Sequence, residues 1–295
     1  MRTSNKTRSL PDFIGIGAQR SGSQWLYKHL NLHPEIWMPP IKEIHFFDRF
    51  DTTVKLNRSI KLMHDLRRRA NAYIFRRKWN KQRNLHWDLT YFLKVRDSDW
   101  YTSLFLPGAD KITGEISPSY MILDQKTVEN IYSHNPKLKI IFIMRDPIDR
   151  VWSAAIRDLA KNKQRDARTI SIEEFQIFIQ DIGASLRSNY VRTLSIWESV
   201  FPTEQFYINF YDNVQNNPQE FLTRIFEFLG VPENSKHVPK KLRKKVNSSE
   251  RYKIDIPIEI EHEIVRMNLA QLEELHLRFG GVTTKWWERS KKVLG

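Results

Sequence analysis

After Lys139, the segment "KIIFIM" (139–144) is apolar at every position. A strand with one wet face alternates apolar and polar residues. An unbroken run needs apolar cover on both sides, which is the requirement of a central strand in a parallel sheet packed between helix layers. Helix-start signals follow at once: Asp146 at the N-cap and Pro147 at the first helical position. The same unit occurs near the front, where "FIGIG" precedes "SQWLYKHLNL", with Trp25, Leu26 and Leu30 on one side of the helix. "QFYINFY" reads as a further strand, and Asn217, Pro218 and Glu220 open a helix that Gly230 closes. Ser171 with Glu174 makes a capping box, and a last helix is expected from Pro257 to Phe279. Recurring strand–loop–helix units predict an α/β fold with a mainly parallel central sheet flanked by helices. Residues 1–10 read as a flexible basic tail. Residues 11–295 read as one domain with a basic insertion at about 55–96.

Composition narrows the chemistry. The 295 residues contain no cysteine, which excludes disulfides, thiol catalysis and cysteine-ligated metals. No apolar run approaches the ~18 residues of a membrane span. The polar, basic start has no apolar stretch behind it and is read as a loose tail rather than a secretory signal. A cytoplasmic location is expected. Part of the net charge of +14 is concentrated: residues 55–96 hold thirteen Lys and Arg against two Asp. That stretch reads either as a solvated helical surface or as a docking face for an anionic polymer or membrane, which leaves a membrane-peripheral placement open.

Three stretches carry chemistry. Gly17 to Gly22 has the G-x-x-x-x-G spacing of a phosphate loop, whose backbone amides wrap an anion at the positive end of a helix. The nucleoside-triphosphate version continues with Lys and then Ser or Thr. Here Ser23 and Gln24 stand there, and the loop carries a cation of its own, Arg20. This suits a phosphate-like group handled by arginine and hydroxyls without a metal; the alternative is a plain turn. Arg145, at the carboxyl end of the central strand, and Ser153, eight residues on, lie where open α/β sheets bind ligands. The alternative there is a helix-capping Arg–Asp pair. In "PPIKEIHFFD" (39–48), extended geometry would put Glu43, His45 and Phe47 on one side and Lys42 and Ile44 on the other. A carboxylate beside an imidazole suits acid–base work, and a surface Lys–Glu pair with a core histidine is the alternative. His29 and His33 have helical metal-ligand spacing but no evident third ligand, and no metal is expected.

Together these stretches resemble a family. "PDFIGIGAQRSGSQWLYKHLNLHPEIWMPPIKEIHFFD", followed in order by "GEISPSYM", "RDPIDRVWS" and "FPTEQFYINFYDNVQNNPQEFLTRIFEFLGV", is similar to sulfotransferases that use 3′-phosphoadenosine 5′-phosphosulfate, PAPS. Within them it looks most like the glycosaminoglycan (heparan sulfate) type and its bacterial relatives. The resemblance implies a P-loop-like sulfotransferase fold. It implies that Gly17, Ala18, Gln19, Arg20, Ser21, Gly22, Ser23, Gln24 and Trp25 hold the 5′-phosphosulfate, and that Arg145 and Ser153 hold the 3′-phosphate. Lys244 and Lys245, with Asn247, fall where relatives close a loop over the nucleotide. Glu43 matches the general base, Arg20 the cation beside the bridging oxygen, and His45 a residue orienting base or acceptor. Lys42, Asp48, Ser117 and Tyr120 match acceptor-side positions. Two departures are visible: Arg20 replaces a lysine common in glycosaminoglycan-type members, and Ile116 stands where heparan-type enzymes often place lysine. The implied reaction moves a sulfuryl group to a hydroxyl or amine of a carbohydrate, glycolipid or small molecule; a nucleic-acid partner is not expected. A nucleotide kinase of similar fold and a non-catalytic polyanion binder are the competing readings.

Overall fold

The computed structural model describes residues 10–49, 84–232 and 254–295. Its centre is a five-stranded sheet made of β1 (Phe13–Gly17), β2 (Ile36–Trp37), β3 (Ile112–Ile116), β4 (Lys139–Met144) and β5 (Phe206–Phe210). The spatial order is β2-β3-β1-β4-β5, and every neighbouring pair is parallel.

The pleat explains why β4 is apolar throughout. Ile140, Phe142 and Met144 face one layer, together with Ile14 and Ile16 of β1. Ile141 and Ile143 face the other, together with Phe13. The second layer is closed by α1 (Ser23–Leu30), through Trp25, Leu26 and Leu30, and by the helix Pro218–Leu229, through Phe221, Leu222 and Ile225. The first is filled by aromatic residues from the helices Leu85–Leu93 and Ser98–Ser103 and by Tyr190, Leu194 and Trp197.

Strand order fixes the site. The chain leaves β1 toward the β3–β2 edge and leaves β4 toward β5. The chain therefore leaves β1 and β4 in opposite directions, which makes their carboxyl ends the switch point where open α/β sheets place ligands. After β4 comes α2 (Pro147–Ala155), which starts as expected: the Asp146 carboxylate accepts from the Ile148 amide. The capping box at Ser171 and Glu174 is present, and Gly230 ends its helix at φ 76°.

Two strands and several helices, among them Gln125–His134, Tyr190–Glu198 and Val282–Leu294, went unread in the sequence. β2 is two residues long, and β3, "ITGEI", carries a glutamate and a glycine that hide its strand character. A helix Val282–Leu294 follows the expected Ile258–Phe279 after a two-glycine break. The basic tail up to residue 9, residues 55–83 of the basic insertion, and Lys244, Lys245 and Asn247 lie outside the described residues.

Candidate active site

The loop after β1 is held by close contacts to β4, to Met121 and to Tyr211. Gly22 caps α1 at φ 83°, a left-handed conformation that favours glycine, and a Cβ there would come within 3.0 Å of the Tyr211 ring. At Gly17 a Cβ would press on Phe142 and Met121 at 3.0–3.1 Å. Ala18 is buried, and its amide donates to the Ile143 carbonyl of β4 at 2.7 Å. Arg20 also has positive φ (72°). Gln19, Ser23 and Gln24 are half-buried on the loop and the first turn of the helix. Trp25 points away into the helix–sheet core, 6.0 Å from the Phe221 ring, so any part it takes at the loop is through its backbone.

Arg20 is not isolated from the second motif. Its Nε donates to Ser153 Oγ at 2.9 Å, and Arg145 Nη1 donates to the Arg20 carbonyl at 3.1 Å. The Arg145 guanidinium lies 5.2 Å from the centroid of the Tyr211 ring that also covers Gly22. The Arg–Asp pair weighed as the structural alternative is loose, with Arg145 Nη2 3.7 Å from Asp149. Burial, with Arg157 and Arg145 adding repulsion, lowers Arg20 to about 10. It stays charged at neutral pH, in a field that asks for an anion. Arg150, fully buried three residues before Ser153, adds to that field; its Nε and Nη1 have no partner among the described residues.

The "KEIHFFD" segment is not extended, which corrects the alternating geometry expected from the sequence. Ile41, Ile44, Phe46 and Phe47 must all reach the core, and that spacing cannot be met by alternation. The chain coils instead, with Glu43 and His45 at φ 66° and 56°. Lys42 therefore joins Glu43 rather than opposing it, with Nζ 2.8 Å from Oε1. His45 bridges two carboxylates: Nε2 is 3.2 Å from Glu43 Oε2, and Nδ1 is 2.6 Å from Asp48 Oδ2. Ser119, a position passed over in the sequence, donates to the same Asp48 oxygen at 2.9 Å.

The electrostatics follow from these contacts. Burial pushes Glu43 up, but the Lys42 charge and the His45 hydrogen bond outweigh it and hold Glu43 well below the carboxylate range. Burial would lower His45, yet Asp48 and Glu43 raise it to about 9. At neutral pH the site holds an imidazolium between two carboxylates. Glu43, its side chain 35% exposed, is the member open to the cleft.

Ser117 and Tyr120, expected on the acceptor side, are both wholly buried. Ser117 donates to Glu115 Oε2 at 2.6 Å, and Tyr120 and Tyr101 donate to Oε1 at 2.9 and 2.7 Å. Tyr120 in turn accepts the Phe46 amide at 3.0 Å, so this knot braces the coiled segment from behind. Glu115 is raised by burial and eased back by its three donors. Arg187, another residue the sequence did not flag, is lowered by burial and lies in the attractive field of Asp181 and Asp158 first, and of Asp48 and Glu43 after them. One segment, Pro118–Ile122, ties the two halves together: Ser119 bonds Asp48 while Met121 backs Gly17.

His29 and His33 hydrogen-bond to the carbonyls of Trp25 and Pro232. Among the described residues no group of three or more His, Asp or Glu side chains is arranged to hold a metal ion. No described helix is long and apolar enough to cross a membrane.

A five-stranded parallel sheet with a glycine-bordered loop after β1 and an Arg/Ser pair after β4 is a P-loop-like fold. The chain belongs to the sulfotransferase family, whose model matches residues 11–235. It is similar to mouse (Mus musculus) heparan sulfate glucosamine 3-O-sulfotransferase 5, 26% identical over 232 residues, covering 76% of this chain and 55% of that protein. Human (Homo sapiens) carbohydrate sulfotransferase 15 is 23% identical over 255 residues, covering 77% and 45%. The chain spans about half the length of the curated relatives it matches. Among solved structures, a sulfotransferase from Alicyclobacillus acidocaldarius superposes with TM-score 0.63 at 20% identity, covering 94% of this chain and 99% of that one. That likeness shows the fold.

Proposed function

We propose that this chain moves a sulfuryl group from PAPS to a hydroxyl or amine of a carbohydrate, glycolipid or small-molecule acceptor, with Glu43 as the base. The observation that carries the reading is the joining of the two anion motifs: Arg20, on the first loop, rests on Ser153 of the second. A nucleotide with anionic groups at both its 3′ and 5′ ends would span such a pair of motifs.

The residues fit that donor. The buried Ser21 hydroxyl has no partner among the described residues, which suits a loop that accepts an oxyanion. Ser21 and the amides from Gly17 to Gln24 would hold the 5′-phosphosulfate, and Arg145 and Ser153 the 3′-phosphate. The bound donor supplies an activated sulfuryl group whose leaving phosphate gathers charge. Arg20 would meet that charge electrostatically, since a guanidinium does not give up its proton.

Glu43 is a weak base at rest because Lys42 and protonated His45 occupy its two oxygens. An acceptor hydroxyl that replaces Lys42 at Oε1 removes the nearer positive charge and strengthens the base. His45, fixed by Asp48 and Ser119, then keeps the carboxylate aimed. Lys42 and Asp48, expected on the acceptor side, have nearly buried side chains and would act on the acceptor through Glu43 and His45, with Ser117 and Tyr120 bracing the wall behind them. The relatives act, by name, on heparan sulfate glucosamine and carbohydrate, and a glycan acceptor is proposed here on that likeness.

The test is a panel of glycans, glycolipids and small alcohols and amines incubated with labelled PAPS in EDTA, scored by mass spectrometry. Sulfated product with tight binding of adenosine 3′,5′-bisphosphate supports the reading. Binding only of magnesium-ATP would transfer the chain to the kinases.

A further inference from the structure

The helix Val282–Leu294 lies beyond the family match, which ends at residue 235, yet it reaches into the "RDPIDR" motif. Its Arg289 donates to Asp146 Oδ2 at 2.9 Å, to Asp149 Oδ1 at 2.8 Å and to Glu261 Oε1 at 2.8 Å. Asp149 is also the carboxylate nearest Arg145, but at the looser 3.7 Å. Two cations therefore share one carboxylate, Arg145 lying toward Oδ2 and the arginine from the C-terminal helix holding Oδ1 at hydrogen-bond distance.

We infer that Arg289 is a positioning residue: by holding Asp149 and Asp146, it keeps Arg145 available to a phosphate. The helix is docked firmly enough for the task. Trp286 meets the Phe210 ring of β5 at 5.5 Å, and the adjoining helix Ile258–Phe279 packs Ile260 and Ile264 against Ile148 and Val151 of α2. Asp146 gains doubly, since one oxygen caps α2 through Ile148 while the other takes Arg289. Without Arg289, the half-exposed Asp149 turns to the remaining guanidinium, and a ligand must displace it. The inference rests on the reading of Arg145 as the 3′-phosphate contact.

Calorimetric titration of adenosine 3′,5′-bisphosphate and of adenosine 5′-monophosphate separates the possibilities, because only the first carries a 3′-phosphate. Arg289→Gln is expected to weaken the bisphosphate about fivefold, the upper range for a partly exposed ion pair, while leaving the monophosphate within about twofold. Adding Asp149→Asn to Arg289→Gln removes the competitor and should restore bisphosphate affinity. In turnover the loss falls on the donor KM rather than on kcat. If Arg289→Gln does not yield folded protein, Arg289→Lys is measured in the same way; one compact ammonium lacks the two separated nitrogens with which the guanidinium spans these carboxylates, and a partial loss confined to the bisphosphate is expected. Equal weakening of both nucleotides, or no rescue by Asp149→Asn, overturns the inference. Arg145→Ala decides the underlying reading: if it spares the preference for the bisphosphate, both fall; if it abolishes the preference while Arg289→Gln leaves the preference unchanged, only the role of Arg289 falls.

Discussion

Arg20 Nε donates to Ser153 Oγ at 2.9 Å, across 133 positions of sequence. That bond joins the loop after β1 to the helix after β4. It makes one cationic cluster of two motifs that, in sequence, look independent.

Ser153→Ala should therefore act twice. Losing the proposed hydroxyl contact to the 3′-phosphate should weaken adenosine 3′,5′-bisphosphate about tenfold. Losing the acceptor that fixes Arg20 lowers turnover as well. Arg20→Ala should cost turnover ~10² or more, the scale of a lost charge stabiliser. Calorimetry and single-turnover sulfation read the two effects separately, and a Ser153→Ala enzyme with unaltered nucleotide affinity would contradict the assignment.

Glu43→Gln keeps the shape of the segment and removes the proposed base. Turnover should drop ~10², the usual scale for general base catalysis. Nucleotide affinity should hold, because Glu43 makes no bond to the loop after β1 among those described. Near-normal turnover would end the base assignment while leaving the donor site intact. Lys42→Met should shift the acid limb of the pH–rate profile upward, since the ammonium is the strongest charge holding Glu43 down.

His45 offers a pH test with a definite sign. Its folded value is raised from 6.5 to about 9. The stabilisation from its two carboxylates is whole below about pH 6.5 and is lost as pH rises through 9. The urea midpoint of the wild-type protein should exceed that of His45→Gln at pH 6, and the gap should narrow by pH 10. Asp48→Asn should pull the alkaline limb of kcat/KM down from near 9 toward the ordinary histidine value. An unmoved limb would show that another group sets it.

Glu115→Leu strands three hydroxyls in a dry core. Removing one member of a satisfied buried network costs about 3 kcal/mol. Tyr120→Phe loses the contact to the Phe46 amide and should cost about 1–2 kcal/mol. It should also loosen the left-handed turns at Glu43 and His45, seen as a lower kcat without a change in nucleotide affinity. Thermal unfolding together with steady-state rates tests both.

The architecture was legible wherever local signals were strong. The apolar run of β4, the cap at Asp146 and Pro147, the capping box at Ser171 and the closing Gly230 each state their own structure, because caps and two-sided burial depend on neighbours in sequence. β2 and β3 were silent, since their places come from pairing in the sheet rather than from their own residues.

Sequence alone named the ingredients of the site: a glycine-bordered loop with its own arginine, an arginine and serine eight residues apart, and a carboxylate near an imidazole. Tertiary structure decided their relations. The core's demand for Ile41, Ile44, Phe46 and Phe47 together coiled the segment and swung Lys42 onto Glu43. Burial turned Ser117 and Tyr120 inward onto Glu115. Ser119, Arg187 and Arg289 acquired their positions only when distant elements met, because the field at a charged group is set by whatever folds against it and not by its neighbours along the chain.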